Sequence, residues 1–252
     1  MKRKRDDIDM IKSVNKLTPT EFKQAHFPSH LDIPKASAEP DKSRRSWAAE
    51  LFVSPAAIKV ADADDRLSDP DLEACLALVE ETSSKDYAAS AMGWHKGRKR
   101  REMRDRDMRY LIVRDSTPEG DQTRGGTASV AGFLSFMLTH EDGLPVIYVY
   151  EVHLKPSIRK SGVGKQLMNL VEHIGASVGV DKSMLTVFRS NDKAVKWYER
   201  LGYTVDEYSP PDKKLRGDKV KQADYLILSK TLSTLTRNAE FDYAKHTGNG
   251  GC

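Results

Sequence analysis

The sequence predicts an α/β (α+β) fold: a mixed, mostly antiparallel twisted sheet with helices on both faces. Three observations predict it. Antiparallel-type strands come first and strand–helix–strand units follow. The apolar period switches between two and about 3.6 along the chain. A glycine-rich turn joins the most strand-like segment to a strongly amphipathic helix.

Residues 1–45 mix charges and prolines, and read as a basic, partly ordered extension with at most one short helix. Ile8, Ile11, Leu17 and Phe22 give it an apolar edge for packing along a domain at 46–231. A first strand is expected at 56–61 or just before it. Ser68 or Asp69 can cap a helix with Pro70 in its first turn, and Leu72, Cys75, Leu76 and Val79 form its apolar stripe. A strongly basic helix follows at about 95–104, then a strand at 110–114. Gly125-Gly126 breaks the next loop. Val130, Leu134, Phe136 and Leu138 share one parity of a further strand, and Glu141-Asp142-Gly143 is a hairpin signal.

The segment 146–154 is the richest in Val, Ile and Tyr and is the clearest strand. After the glycine turn, Val163, Leu167, Leu170, Val171, Ile174 and Val178 lie on one helical face. A strand at 184–188, a helix at 192–201 and strands at 203–206 and 224–229 complete the domain. Residues 232–252 are rich in Thr, Asn and Gly and are expected to be disordered.

Composition excludes several classes. Hydrophobic residues make up 38% and charged residues 31%, the balance of a soluble globular chain. No apolar run is long enough to span a bilayer, no signal peptide opens the sequence, and Lys2 occupies the place where myristoylation needs glycine. The net charge of +4 equals the contribution of Lys2, Arg3, Lys4 and Arg5, so the rest is formally neutral. Stable nucleic-acid binding by the domain is therefore not expected. That basic run reads either as a nuclear-import tag or as a solvated tail. Cys75 and Cys252 are too few for a disulfide framework or a cysteine metal site, and no metal is expected.

The turn Arg159, Lys160, Ser161, Gly162, Val163, Gly164, Lys165 is a candidate anion site. Backbone N–H groups that open a helix lack intrahelical acceptors, and the helix dipole adds positive charge there. The Walker loop is excluded, because one residue separates the glycines and Gln166 follows Lys165; a dinucleotide fingerprint is excluded because Leu167 holds the third glycine's place.

Arg159-x-x-Gly162-x-Gly164 resembles the acetyl-CoA motif of the GNAT superfamily. The run Asn191-x-x-Ala194-x-x-x-Tyr198-x-x-x-Gly202-Tyr203 resembles that family's later helix, beside the pantetheine arm. The resemblance implies the GNAT fold, and acetyl-CoA lying along Val152, His153 and Leu154 with its diphosphate on 160–165. Asn191 can be a helix cap, a cofactor contact or both. Tyr198 stands where many GNAT enzymes keep a tyrosine that protonates the departing thiolate; the alternative is a half-buried core aromatic.

Gly93-Trp94, the helix end Arg100-Arg101-Glu102-Met103, Tyr148-Val149-Tyr150-Glu151-Val152 and Met184-Leu185-Thr186-Val187-Phe188 together look like the NatD type of N-alpha-acetyltransferase, from about Tyr87 to Ser229. This resemblance implies transfer of acetyl to the N-terminal serine of histone tails that begin Ser-Gly-Arg-Gly. A monomer is the default expectation, located in nucleus and cytoplasm. Such an α-amine, of pKa ~7.7–8.0, becomes the neutral nucleophile near pH ~7.5 for under about 0.7 kcal/mol; a lysine amine at ~10.4 would cost roughly 4 kcal/mol. A carboxylate acting through water then suffices as base. Glu151 is the residue implied; the alternative is a strand carboxylate that faces solvent or pairs with Lys or Arg.

A regular strand would put Glu151 on the face opposite Tyr148 and Tyr150; the β-bulge typical of GNAT proteins here would re-aim it. Tyr87, Tyr148, Tyr150, Thr186, Ser209 and Tyr225 are the implied substrate-binding residues, with packing as the alternative for each tyrosine. Two positions depart from the NatD pattern. Met92 replaces a tryptophan, and Thr139 replaces an aspartate, which moves recognition of the substrate arginine elsewhere, to Glu141, Asp206 or Glu207. The basic helix at 96–106 is open to cofactor phosphates, DNA or solvent, with internal i, i+4 pairing expected. The competing readings are lysine or small-amine acetylation, and a non-catalytic chromatin-binding module.

Overall fold

The computed structural model describes residues 10–28, 49–57, 63–114, 129–214 and 220–232. The basic run at 2–5, Ile8, the Gly125-Gly126 break and the tail from 233 onward lie outside the described residues.

A helical turn at 10–14 precedes α1 (Pro19–His26), and β1 is Ala49–Val53. Helix α2 (Asp69–Ala89) is capped by Ser68, whose hydroxyl accepts from the Asp71 N–H, and α3 (Lys96–Met103) follows. Then come β2 (Arg109–Arg114), β3 (Val130–Glu141), β4 (Leu144–Leu154), α4 (Val163–Val178), β5 (Lys182–Phe188) and α5 (Asp192–Arg200). Four further strands follow among the described residues: β6 (Thr204–Val205), β7 (Lys213–Lys214), β8 (Val220–Lys221) and β9 (Tyr225–Thr231).

Seven strands form one sheet in the order β1-β2-β3-β4-β5-β9-β6, and β7 pairs β8 separately. Every pairing in the large sheet is antiparallel except β4 with β5. The β3–β4 turn needs left-handed backbone at both central residues, and Asp142 (φ 48°) and Gly143 (φ 82°) supply it. No described helix is long and apolar enough to cross a membrane.

Two apolar layers cover the sheet. On one face Leu111, Leu134, Phe136, Ile147 and Val149 pack against the buried stripe of α4 and against α5. On the other, Tyr110, Ile112 and Phe133 pack against Leu72, Cys75, Leu76 and Val79 of α2 and Met103 of α3. Val130 joins this second layer rather than the layer of Leu134, Phe136 and Leu138. The expected common parity fails because the β2–β3 register shifts between Val113 and Arg114, so that Gly132 and Val130 are successive partners and Ala131 is bulged.

Among its described residues the N-terminal extension holds two helical pieces, where at most one short helix was expected. The Thr18–Glu21 capping box explains α1: the Glu21 carboxylate accepts from the Thr18 N–H at 2.8 Å, and the Thr18 hydroxyl accepts in turn from the Glu21 N–H. Ile11 and Phe22 are buried in the core, as their apolar edge predicts. Arg109 fastens this segment. Its guanidinium donates to Asn15 Oδ1 at 3.0 Å and the Val14 carbonyl at 3.4 Å, and stacks 4.6 Å from the Phe22 ring centroid. Burial pulls the Arg109 pKa down to about 10. Arg109→Met would leave part-buried acceptors without donors and the Phe22 ring without its cation, at a cost of about 2 kcal/mol. The expected fall in melting temperature is roughly 4–8 °C, read by thermal unfolding; an unchanged midpoint would show that Arg109 does not hold the extension.

Candidate active site

The site is built where β4 and β5 part. Their parallel ladder runs only from Val146↔Lys182 to Val149↔Leu185, although both strands continue. Beyond it β5 pairs with β9 alone, so β4 from Tyr150 to Leu154 faces a wedge on that side. The β3–β4 register also shifts here, from Ser135↔Glu151 to Phe136↔Val149, which leaves Tyr150 without a partner on β3. This is the expected bulge. Ile147, Val149, Val152 and Leu154 contact the α4 layer, whereas Tyr150 contacts the α2 layer and Glu151 reaches α3. Glu151 thus shares a face with Tyr150 despite being its neighbour.

A cleft of about 420 Å³ lies over this point. Tyr87, Tyr148, Tyr150 and Thr186 all line it, with Trp94 and Phe188 as apolar walls and Glu102 and Glu141 as its carboxylates. Tyr148 and Thr186 share a hydroxyl hydrogen bond of 2.5 Å across the splayed strands. The rings of Tyr148 and Tyr150 are 5.2 Å apart, and Tyr87 meets Phe188 edge-on at 4.7 Å. Ser209 and Tyr225 do not line the cleft. Ser209 instead accepts from the Ile227 N–H at 3.1 Å, and Tyr225 pairs with Phe188 in the sheet. Of the three carboxylates considered for a substrate arginine, only Glu141 lines the cleft. Asp206 is tied to Lys182 at 2.6 Å, and Glu207 is exposed elsewhere.

Glu151 is 7% exposed and sits behind the cleft wall. Its Oε2 is 2.5 Å from His153 Nε2, and its Oε1 accepts from Lys99 Nζ at 2.8 Å and from the Tyr87 hydroxyl at 3.5 Å. His153 Nδ1 in turn meets the Thr82 hydroxyl at 2.6 Å. Burial alone would raise the Glu151 carboxyl, but His153 and Lys99 outweigh it and hold the group at about 2. It is a carboxylate at any neutral pH.

Lys99 is the site residue that sequence reasoning missed. The basic helix does not pair with itself at i, i+4: Lys96, Arg100 and Arg104 reach across to Glu80, Glu73 and Asp69 of α2. Lys99 bonds Glu102 within the helix at i, i+3 and Glu151 on the sheet. Its signal in the sequence was position alone: it is four residues before the buried Met103, on one helical face.

The glycine turn lies at the open end of the wedge. Gly162 caps α4 with left-handed backbone (φ 89°), no side chain caps that terminus, and its first turn carries no acid. The first N–H groups of α4 therefore have no intrahelical acceptor and no carboxylate in that turn to compete for them. Arg159 bonds the Leu154 carbonyl at 2.9 Å and Ser161 bonds the Ile158 carbonyl at 2.6 Å, so both side chains fix the turn. Lys160 and Lys165 are exposed, and Val163 is buried. Gly164 serves packing: a Cβ there would come 3.3 Å from both Leu154 and Trp197. A diphosphate-bearing coenzyme fits this arrangement of bare amides and flanking lysines.

Asn191 is a cap, accepting from the Ala194 N–H at 3.2 Å. Tyr198 is 9% exposed, with its ring tilted against Trp197 at 4.8 Å and near Tyr203. Burial, and secondarily the Glu151 charge, push its phenol well above the usual range, so it stays protonated at neutral pH.

Comparison with known proteins agrees with this architecture. The profile of the acetyltransferase (GNAT) family matches residues 73–203. N-alpha-acetyltransferase 40 of Saccharomyces cerevisiae (strain ATCC 204508 / S288c) is 27% identical over 152 residues, 55% of this chain and 53% of that protein. The chain thus spans about half the length of the curated relative it matches. Among solved structures, Tetrahymena GCN5 is 11% identical with a TM-score of 0.49, covering 74% of this chain and 96% of that one. Arabidopsis thaliana NAA60 in complex with a bisubstrate analogue is 15% identical with a TM-score of 0.46, covering 66% and 94%. With just over half of its residues, including the wedge, the bulge and the glycine turn, matched to one family profile, the chain belongs to the acetyltransferase (GNAT) family.

Proposed function

We propose that this protein moves an acetyl group from acetyl-CoA to the α-amine of a protein N-terminus, and that its substrate is a histone tail beginning Ser-Gly-Arg-Gly. The observation that carries the reading is the meeting of three features at Tyr150: the parted β4–β5 ladder, the bulge, and a cleft lined by hydroxyls and two carboxylates. The name of the yeast relative, an N-alpha-acetyltransferase, supports the class of amine. The motifs around Gly93-Trp94 and 148–152 support the histone substrate.

The geometry supports the following roles. Backbone N–H and C=O groups along Val152, His153 and Leu154 pair with the pantetheine arm as a further strand would. The amides at the α4 terminus hold the diphosphate, flanked by Lys160 and Lys165. Acetyl-CoA supplies the activated acyl group. Tyr87, Tyr148, Tyr150 and Thr186 fix the first residues of the tail, and Glu141 and Glu102 offer charge to its arginine. The amine nitrogen attacks the thioester carbonyl directly, and its surplus proton leaves through water polarised by the Glu151 carboxylate. A carboxylate held near 2 relays such a proton rather than keeping it. The bulged backbone offers an N–H to the developing oxyanion. As the C–S bond breaks, the Tyr198 phenol gives its proton to the thiolate and regains one from solvent, which balances the proton released by the amine. The protein works as a monomer in nucleus and cytoplasm.

A Ser-Gly-Arg-Gly-Lys peptide with a free or a pre-blocked α-amine tests this. Acetyl incorporation is expected in the free peptide only, as read by mass spectrometry. Equal incorporation into both would transfer the activity to the lysine side chain. Absence of any heat on titrating acetyl-CoA would instead favour a binding module.

A further inference from the structure

The bulge that aims Glu151 also loosens the strand that carries it. Tyr150 has no register partner on β3, and β5 has already left the ladder at Val149. A side chain on such a segment keeps one orientation only if something outside the strand holds it. His153 bonds Glu151 at 2.5 Å and is itself held by the Thr82 hydroxyl of α2 at 2.6 Å, but it lies on the same strand as Glu151 and reaches no residue of α3. Lys99 comes from α3. It is 6% exposed, yet it lines the cleft, and its ammonium bonds Glu151 at 2.8 Å and Glu102 at 2.6 Å. The same ammonium lies 4.8 Å from the centroid of the Tyr87 ring, whose hydroxyl also points to Glu151.

Burying an ammonium is unfavourable unless its partners are well placed. The remaining cations of this helix that form ion pairs, Lys96, Arg100 and Arg104, do so with α2 near solvent. Lys99 is the one that crosses to the sheet. Around the carboxylate stand His153 from β4, Tyr87 from α2, Lys99 and Glu102 from α3, Tyr110 from β2 and Tyr198 from α5. Of these, Lys99 is the lysine, and it makes the shortest bond from another element to the Glu151 carboxylate, 2.8 Å against 3.5 Å from the Tyr87 hydroxyl.

We infer that Lys99 is a positioning residue: it clamps the Glu151 carboxylate and the Tyr87 ring to α3, so that the bulged strand presents one fixed arrangement to the substrate. The inference rests on the proposed acetyl transfer for its kinetic arm. Its titration arm stands without it.

Lys99→Met keeps the apolar stem and removes the charge; Lys99→Arg keeps the charge on a longer, planar head. The Glu151 carboxyl is followed by carbon-13 NMR, its signal assigned by its loss in Glu151→Gln. In Lys99→Met its midpoint is expected to rise by at least one pH unit, and in Lys99→Arg to stay near that of the unsubstituted protein. On the Ser-Gly-Arg-Gly-Lys peptide, kcat is expected to fall roughly 30- to 100-fold in Lys99→Met, the scale of an ångström's misplacement, with the KM for acetyl-CoA within twofold. Lys99→Met combined with Glu151→Gln should be no slower than Glu151→Gln alone. An unmoved carboxyl midpoint, or losses that multiply in the double variant, would overturn the clamp. Should Lys99→Met fail to fold, Lys99→Arg decides: lowered kcat with an unmoved midpoint supports positioning, and unchanged kcat refutes it. If the unsubstituted protein transfers no acetyl to the peptide, the functional reading fails while the titration still decides Lys99.

Discussion

Glu151→Gln is expected to lower turnover roughly 100- to 1,000-fold while leaving acetyl-CoA affinity within a factor of two. General acid–base assistance is typically of that order. The amide is isosteric, so the bulge and the β3–β4 register survive, and Lys99 keeps Glu102 at 2.6 Å as a partner. What disappears is the negative charge that Lys99 and His153 hold in place behind the cleft. Steady-state kinetics on the Ser-Gly-Arg-Gly-Lys peptide, paired with calorimetry of acetyl-CoA, separates the two effects. Turnover unchanged across neutral pH would remove Glu151 from the reaction. The same carboxyl links stability to pH. It titrates near 2 in the fold against an ordinary value of 4.5, so its contribution is complete above about 4.5 and is lost as pH falls toward 2. In Glu151→Gln that part of the acid denaturation profile should flatten.

The second large effect belongs to the turn. Gly162 has φ 89°, where a β-branched side chain is strained by about 1–2 kcal/mol. Gly162→Val would relieve that strain only by rotating the first amides of α4 away from the direction they now share. Two charge-assisted hydrogen bonds lost to a diphosphate, at ~1.5–3 kcal/mol each, correspond to at least roughly 100-fold weaker acetyl-CoA binding. The cleft on the far side of β4 is untouched, so the peptide KM should change little at saturating donor. Calorimetry showing donor affinity within threefold of the unsubstituted protein would mean that these amides do not hold the diphosphate.

Much of this fold is legible in the sequence because its signals are periodic. The stripe from Val163 to Val178 is buried as its spacing requires, and the two-residue turn at Asp142-Gly143 is written in residue types that tolerate left-handed backbone. The misreadings cluster where periodicity breaks. Val130 changes face because Ala131 is bulged, an event with no residue-type signature. The bulge at Tyr150 is equally invisible to strand alternation, and was expected only through the GNAT resemblance. The charge pattern of α3 predicts internal pairing, but α2 lies alongside with carboxylates in reach, and the helix pairs outward. Lys99 reads as one more solvated cation among seven basic residues between Lys96 and Arg106; its burial depends on how α3 meets the sheet, which is a tertiary fact. Ser209 and Tyr225 follow from motif position, and their present hydrogen bonds and strand pairing place them outside the cleft.

Where β4 and β5 diverge, the sheet carries an internal edge, and unpaired main chain is adhesive toward any extended segment that reaches it. On the proposed function, an acyl donor lodged there would act as a plug for that edge. Ligands that bind only the native state raise its free energy of unfolding, by about 2.7 kcal/mol at a hundredfold excess over Kd. Starvation for the donor would then slow the reaction and also thin the folded population, exposing a seam to proteases and to self-association. Coenzyme supply and protein lifetime would then be coupled through the same gap.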